Sequence, residues 1–586
     1  MRRLTFALCT AASIALASPA IAGPAEDFHA LMDEIWATTL KDNPVFATQT
    51  GVTTYDRELG TLTLAELDRQ TAEASAFLKR LEAIPPSALS PADQTNYSIL
   101  KRTLSDAVTA NRFGERQMLF STLGSPHQFW AGIGEQQPFR TYADYDNYLA
   151  RISQVPAQMA NMADISRKAA KEGFVQPCVT LTTFEPTITG VIATDPAKSR
   201  FYAPFVAPKS ASVTDAQWAD LQSRAKALIT SKVNPAYATW AKVYRDELAG
   251  KCRQSVGISA LPQGKEYYAF LVRQQTTTDK TPDEIHQLGL REVARIRGEM
   301  EAVARKAGFA SREAMIADMR TNPKFFAKTP EELMGAAALM AKTIDGKMPT
   351  LFTRLPRLPY GVKPIPLETA EGNTTAYYVQ GSPDAGIAGT YFVNTTHLDQ
   401  RPLWELPALT VHEAVPGHHM QIATQQELDM PAWRKYGTFF TAFVEGWGLY
   451  SERLGIELGI YDTPQKDMGR LSYEMWRACR LVVDTGIHSK GWTKEQAVAF
   501  MKDNTALTDK NIDSEVNRYI SNPGQALAYK LGELKIRELR ARAEKQLGAK
   551  FDLRRFHDAV IGQGAVPLDT LEAQIDAWIA AEKARS

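Results

Sequence analysis

His412-Glu413-Ala414-Val415-Pro416-Gly417-His418-His419, followed 27 residues after His418 by Glu445 in Phe443-Val444-Glu445-Gly446-Trp447-Gly448-Leu449-Tyr450, is the part of the chain on which the reading turns. A metal-dependent hydrolase needs neutral imidazoles and a carboxylate to hold its ion, an open position for water, and a base to take that water's proton. All of these residue types are present. Three of the nine histidines fall within these eight residues, in a segment otherwise apolar (Leu406, Leu409, Val411, Ala414, Val415). Polar side chains in such a stretch need partners. Taken singly, Pro416-Gly417 is a helix stop signal and Glu445 a paired structural carboxylate; the concentration of ligand types weighs against that reading.

The spacing departs from the H-E-x-x-H helix, in which histidines about one turn apart face the same way. Here the fourth residue on is Pro416, which removes a backbone donor and forces a kink, bulge or break. On an unbroken helix His418 would lie roughly 240° around from His412, and His419 would face correctly but about 10 Å along the axis. A loop at Val415-Pro416-Gly417 is therefore required for both histidines to reach one ion. Helix geometry leaves open whether His418 or His419 is the second ligand.

Outward from this motif the chain reads as mainly helical. Thr281-Pro282-Asp283-Glu284 and Thr329-Pro330-Glu331-Glu332 each place a cap, a proline at the first helical position and a glutamate at the third. Thr493 with Gln496 opens another helix, and Leu571, Ile575, Trp578 and Ile579 mark the last. Strand signals are confined to Ala376-Tyr377-Tyr378-Val379 and Thr390-Tyr391-Phe392-Val393-Asn394-Thr395, a small sheet beside the metal-binding helix. An exposed strand there could pair with a substrate peptide's main chain, with Tyr378 and Asn394 as candidate contacts. Tyr473, Arg477, Arg480, Asp484 and His488 form one polar stripe on a helix that otherwise carries a broad apolar arc of Met475, Ala478, Cys479, Leu481, Val482, Val483 and Ile487. Such a stripe is either a buried ion-pair network or the wall of a wet cleft.

The 586 residues, 44% hydrophobic, can bury a large core and exceed one ordinary domain, so two lobes are expected. The balance of 67 basic against 66 acidic side chains gives no electrostatic case for nucleic acid or an anionic membrane as the main partner. Residues 1–22 run Arg2-Arg3, an apolar stretch, then Ala20-Ile21-Ala22, the order of a cleavable secretory signal, and no later stretch approaches the length of a spanning helix. A periplasmic or secreted protein follows. Residues 23–355 form a mostly helical N-terminal portion and 356–586 the catalytic portion, divided in the Pro-rich stretch 355–366, with both wrapping one cleft. In an oxidising compartment Cys178 and Cys252 are the expected disulfide, because Cys479 sits in an apolar helical run where a thiol packs well.

His412 to His419 with Gln421, and Phe443 to Tyr450, resemble the bacterial family catalogued as domain of unknown function 885, whose pattern is close to H-E-A-x-P-G-H-H-x-Q followed by F-x-E-G-W-x-x-Y. Thr375-Ala376-Tyr377-Tyr378, Gly381-Ser382-Pro383-Asp384, Val483 to His488 and Asn522 to Tyr529 look like further family blocks. That family is in turn distantly similar to the helical gluzincin peptidases, which include thimet oligopeptidase, angiotensin-converting enzyme and thermostable carboxypeptidases. Their motif is H-E-x-G-H, so this chain carries a two-residue insertion. The resemblance implies a two-lobed helical zinc-peptidase architecture holding one zinc ion through His412, His418 and Glu445, with His419 an alternative ligand or a supporting residue. It implies that Glu413 is the base that deprotonates a zinc-activated water, with His488 or Tyr529 stabilising the oxyanion. Arg480, Arg518 and Tyr519 become candidate contacts to a peptide substrate. Alternatives are a zinc amidohydrolase acting on a cell-wall or modified peptide, and a non-catalytic peptide-binding protein with a closed structural metal site.

Overall fold

Threonine caps set the helix starts. Thr281 Oγ1 accepts from the Glu284 amide at 3.3 Å while the Glu284 carboxylate accepts from the Thr281 amide at 2.8 Å. Thr329 and Thr493 cap the Glu332 and Gln496 amides in the same way. The computed structural model describes residues 23–119, 121, 124–135, 137–370, 373–384 and 386–585, so the signal-peptide reading of residues 1–22 lies outside the described residues.

The principal helices are α1 (Pro24–Asp42), α2 (Leu64–Glu82), α3 (Pro91–Ala110), α4 (Tyr142–Ile152), α5 (Val155–Glu172), α6 (Asp215–Leu228), α7 (Asn234–Val243), α8 (Gly264–Thr276), α9 (Pro282–Lys306) and α10 (Pro330–Asp345). Beyond the sheet follow α11 (Leu406–Glu413), α12 (His418–Glu427), α13 (Thr441–Leu454), α14 (Pro464–Lys490), α15 (Asp509–Ser521), α16 (Ala528–Leu547) and α17 (Leu568–Ala584). No helix among the described residues is long and apolar enough to cross a membrane.

The sheet has three strands, β1 (Tyr360–Pro364), β2 (Ala376–Val379) and β3 (Gly389–Val393), in the order β1-β3-β2, with β3 parallel to β1 and antiparallel to β2. β1 falls inside the Pro-rich stretch that the sequence presents as a passage; an edge strand tolerates Pro364 because its outer side needs no ladder donor. The Asn394 amide donates to the Thr375 carbonyl at 2.9 Å. Hydrogen-bonded pairs alternate along an antiparallel ladder, so Ala376 and Tyr378 turn their backbone groups to the open edge of β2.

Among the described residues, four apolar cores hold the helices together. One joins Phe28 and Leu31 of α1, Phe77 of α2 and Ile99 of α3 to Val411, Val415, Phe443 and Trp447 of the motif segments and to Ile575 of α17. A second joins α9 to β3, Leu409, Ala414, α14 and α15. A third lies within residues 45–248, and a fourth joins Tyr268 and Ile285 to Leu481, Leu527 and Leu531. Three of these four contain side chains from both sides of residue 355. Cys178 and Cys252 form a disulfide, and Cys479 is a buried thiol. The bridge is flanked by backbone bonds from the Cys178 amide to the Arg253 carbonyl and from the Arg253 amide to the Gln176 carbonyl.

Candidate active site

The proline break divides the first motif between two helices. α11 ends at Glu413, Ala414 (φ −97°, ψ −115°) leaves the helical region, and α12 begins at His418 after a cis Val415–Pro416 peptide. The Gly417 backbone turns back against the end of α11 so closely that a Cβ there would lie 1.9 Å from the His412 carbonyl oxygen, so only glycine fits. Trp447 of the second motif fixes this loop by donating Nε1–H to the Pro416 carbonyl at 2.8 Å. Gly448 makes room for the His412 ring, since a Cβ there would lie 2.7 Å from Cε1.

The break brings the two histidines together. The His412 and His418 rings lie 4.7 Å apart and nearly perpendicular, and their Nε2 atoms stand 3.5 and 3.4 Å from Glu445 Oε2. Those separations exceed the about 2.7–2.9 Å of a charged hydrogen bond. They match the edge of about 3.4 Å expected between ligands placed tetrahedrally around an ion with bonds of about 2.0–2.1 Å. The three candidate ligand atoms lie within 4.8 Å of one another, and Glu445 Oε2, although buried, has no hydrogen-bond partner among the described residues. The donor set therefore fits one ion and leaves a coordination position open.

A supporting carboxylate stands behind the site. His412 Nδ1 bonds to Glu452 Oε1 at 2.8 Å, which also receives Arg477 Nη2 at 2.9 Å. Such a bond fixes the tautomer that presents Nε2 to the metal position. Without a metal, burial opposes charging of His412, but Glu445 and Glu452 outweigh it and push its pKa up to about 9. Burial would raise Glu445, yet His418 and His412 hold its carboxyl well below the usual range. Glu413, adjacent to His412, lines the cleft, and no described residue donates a hydrogen bond to its carboxylate.

His419 stands apart from this group. Its Nδ1 pairs with the Tyr378 hydroxyl at 2.9 Å and its Nε2 with the Leu358 carbonyl at 3.0 Å; burial pushes its pKa down to about 4, so it is a neutral tie between β2 and the segment before β1. His418 is thus the histidine brought to Glu445.

His412, His418 and Glu445 open into a cleft of about 460 Å³ lined by Asn373 to Thr375 and the adjoining β2 residues Ala376 to Tyr378, by Leu409, Ile422 and Val444, and by Tyr473, Trp476, Arg477, Arg480, Arg518 and Tyr529. The polar stripe of α14 is both things the sequence allowed: its first turns face the cleft while their arginines are ion-paired. Arg480 reaches Glu515 and the Tyr519 hydroxyl at 2.9 and 3.0 Å. Tyr529 lies 6.2 Å from the His412 ring at an interplanar angle of 18°, and its hydroxyl accepts from Arg518 at 3.0 Å.

Three expected site residues do not reach the cleft wall. His488 is wholly buried, accepting the Ile258 amide at Nδ1 (3.0 Å) and bonding the Tyr519 carbonyl through Nε2 (2.9 Å). Burial pushes its pKa down to about 3, so it is a neutral pin and has no free donor for an oxyanion. The Asn394 side chain donates to the Ala370, Asn373 and Thr374 carbonyls and accepts from Thr396, closing the loop before β2 rather than facing a substrate. Tyr519 holds Arg480 from behind, its hydroxyl also accepting from Trp476 Nε1 at 2.8 Å. Glu452 and Glu515, which pair with His412, Arg477 and Arg480, are the residues of this arrangement that sequence reasoning missed. Glu452 was within reach, seven residues beyond Glu445 and so on the same face of α13.

No curated protein matches the chain. The crystal structure of a candidate lipoprotein from Colwellia psychrerythraea superposes with a TM-score of 0.90 at 28% identity, covering 95% of this chain and 100% of that one. A candidate lipoprotein of unknown function from Shewanella oneidensis shares the fold with a TM-score of 0.68 at 20% identity, covering 94% and 99%. The sequence profile of the bacterial proteins of unknown function DUF885 matches residues 44–575, and the chain therefore belongs to that family.

Proposed function

We propose that this chain is a zinc-dependent metallopeptidase, with the helical architecture of that class, acting on short peptides outside the cytoplasm. One observation carries the reading: His412 Nε2, His418 Nε2 and Glu445 Oε2 converge in a cleft that Glu413 also lines. Held by those three atoms, zinc would supply the acidity that makes water a nucleophile near neutral pH and would polarise the scissile carbonyl. Glu413 accepts one proton of the attacking water and passes it to the leaving nitrogen as the acyl C–N bond breaks, while the water oxygen stays on the acyl carbon. Tyr529 is the donor we assign to the oxyanion: its oxygen accepts from Arg518 and leaves its own proton to give. The open backbone of Ala376 and Tyr378 offers main-chain hydrogen bonds to an extended peptide. Because both nitrogens of His419 are committed, the closed four-ligand site of a purely structural metal lacks its fourth ligand. The order of residues 1–22 supports export.

The test is to load the protein with zinc, incubate it with mixed short peptides and follow new termini by mass spectrometry. Glu413→Gln should keep its zinc and lose roughly a hundredfold or more of turnover. Equal turnover in a metal-loaded Gln variant would remove Glu413 from the mechanism. No cleavage by the zinc-loaded wild type would overturn the peptidase reading.

A further inference from the structure

The walls of the cleft differ. The wall built by α11, α12 and α13 carries the metal ligands and the apolar side chains Leu409, Ile422 and Val444, with Phe439 just before α13. Phe439 is 61% exposed, unusual for a phenylalanine. The wall built by α14 and α15 carries Arg477, Arg480, Lys510 and Arg518. Arg477 is matched by Glu452. Arg480 and Arg518 share a single carboxylate, Glu515, at 2.9 and 3.5 Å, which leaves one positive charge over. Arg480 is 1% exposed; its Nε and Nη2 are taken by Tyr519 and Glu515, while Nη1 has no hydrogen-bond partner among the described residues. A buried guanidinium nitrogen left unpaired is costly, and a cleft wall is where a ligand can pair it.

We infer that Arg480 and Arg518 bind the free C-terminal carboxylate of the substrate, so that this chain cuts close to the C-terminal end of its peptides. The inference rests on the peptidase reading above and adds the end from which the substrate is taken. A carboxylate brings one negative charge and a planar pair of acceptors, which is what an uncompensated guanidinium recognises. Arg480's guanidinium carbon lies 4.3 Å from the Tyr529 ring, which in turn lies 6.2 Å from the His412 ring. The carboxylate site is therefore within about 11 Å of a metal ligand, a span of about three extended residues. The bond cut falls within the last three residues, and the apolar wall with Phe439 takes side chains on the acyl side of that bond.

The experiment uses the zinc-loaded full chain and one short peptide in matched forms, with a free C-terminus, with a C-terminal amide, and with an acetylated N-terminus. Binding of each to the zinc-loaded Glu413→Gln variant is measured by calorimetry, and cleavage by the wild type is mapped by mass spectrometry. The free acid should bind at least about tenfold more tightly than the amide, as a charge-assisted pair implies, while acetylation changes little. Arg518→Gln, whose side chain is partly exposed, should erase most of the acid–amide difference; Arg480→Lys should do the same if it folds. Equal binding and cutting of acid and amide would overturn the carboxylate inference and leave the peptidase standing. Internal cuts far from the C-terminus would overturn it equally. Neither binding nor cutting by fully zinc-loaded protein would overturn both.

Discussion

Replacing Glu452 with Gln isolates what the carboxylate behind His412 contributes. Oε1 receives both His412 Nδ1 at 2.8 Å and Arg477 Nη2 at 2.9 Å, and Oε2 has no partner among the described residues, so an amide can set its oxygen at the Oε1 position and its NH2 where none of them donates. Shape and both hydrogen bonds survive, and only the charge is lost. Hydrogen bonds to a charged acceptor contribute about 1.5–3 kcal/mol, against about 1 kcal/mol for neutral ones, so the two bonds together lose about 2 kcal/mol. On the His412 side this should appear as a fall of about 10- to 100-fold in zinc affinity, measured by competition with a chromophoric chelator. On the Arg477 side an unmatched buried cation should lower stability by up to about 3 kcal/mol, read from urea unfolding of the metal-free protein. The double variant Glu452→Gln/Arg477→Met removes that cation and should recover stability without recovering zinc affinity. Zinc affinity within twofold of wild type in folded Glu452→Gln would refute the argument. Full recovery in the double variant would show instead that affinity was lost through the fold rather than through the imidazole.

Tyr529→Phe should keep zinc and peptide binding but lower kcat by about 10- to 100-fold; an unchanged kcat would take the phenol out of oxyanion stabilisation. His557 is buried between the Tyr450 hydroxyl and the Leu351 carbonyl, and burial pushes its pKa down to about 3. Its stabilising contribution is therefore complete above the unfolded value of about 6.5 and is lost as pH falls, by about 2 kcal/mol at pH 5. Between pH 7.5 and 5 the wild type should lose that much more stability than His557→Gln, and parallel pH curves would contradict it. Cys178→Ala/Cys252→Ala opens a link between residues 74 apart in sequence and should cost about 4 kcal/mol in the metal-free protein, measured by chemical unfolding. No change would mean that the flanking backbone bonds suffice.

The candidate metal site was legible as a cluster because its residue types are chemically rare in an apolar context and because Pro416 announces the break. The choice between His418 and His419 was not, since the backbone at Ala414 and Gly417 resets the helical phase, which spacing arithmetic assumes to be continuous. Periodicity found the α14 stripe but could not say where the cleft stops along it. Arg477 and Arg480 face the cleft, whereas His488, two to three turns on, meets the Ile258 amide from a segment 230 residues earlier. Asn394 shows the same limit: its strand was legible, but three carbonyls of a preceding loop decide its role. β1 escaped notice because an edge strand beside a central partner needs little strand propensity of its own.

The core behind the motif has a consequence for the order of assembly. Val411 and Val415 pack in one interior with Phe28 of the first helix and Ile575 of the last. A chain made from its N-terminus can form α1 to α3 early, but the back of the Val415-Pro416-Gly417 loop stays uncovered until α17 has emerged. The three converging side chains therefore take their final geometry only after the whole polypeptide has arrived, and an ion held by them would be drawn from the compartment in which the last helix docks.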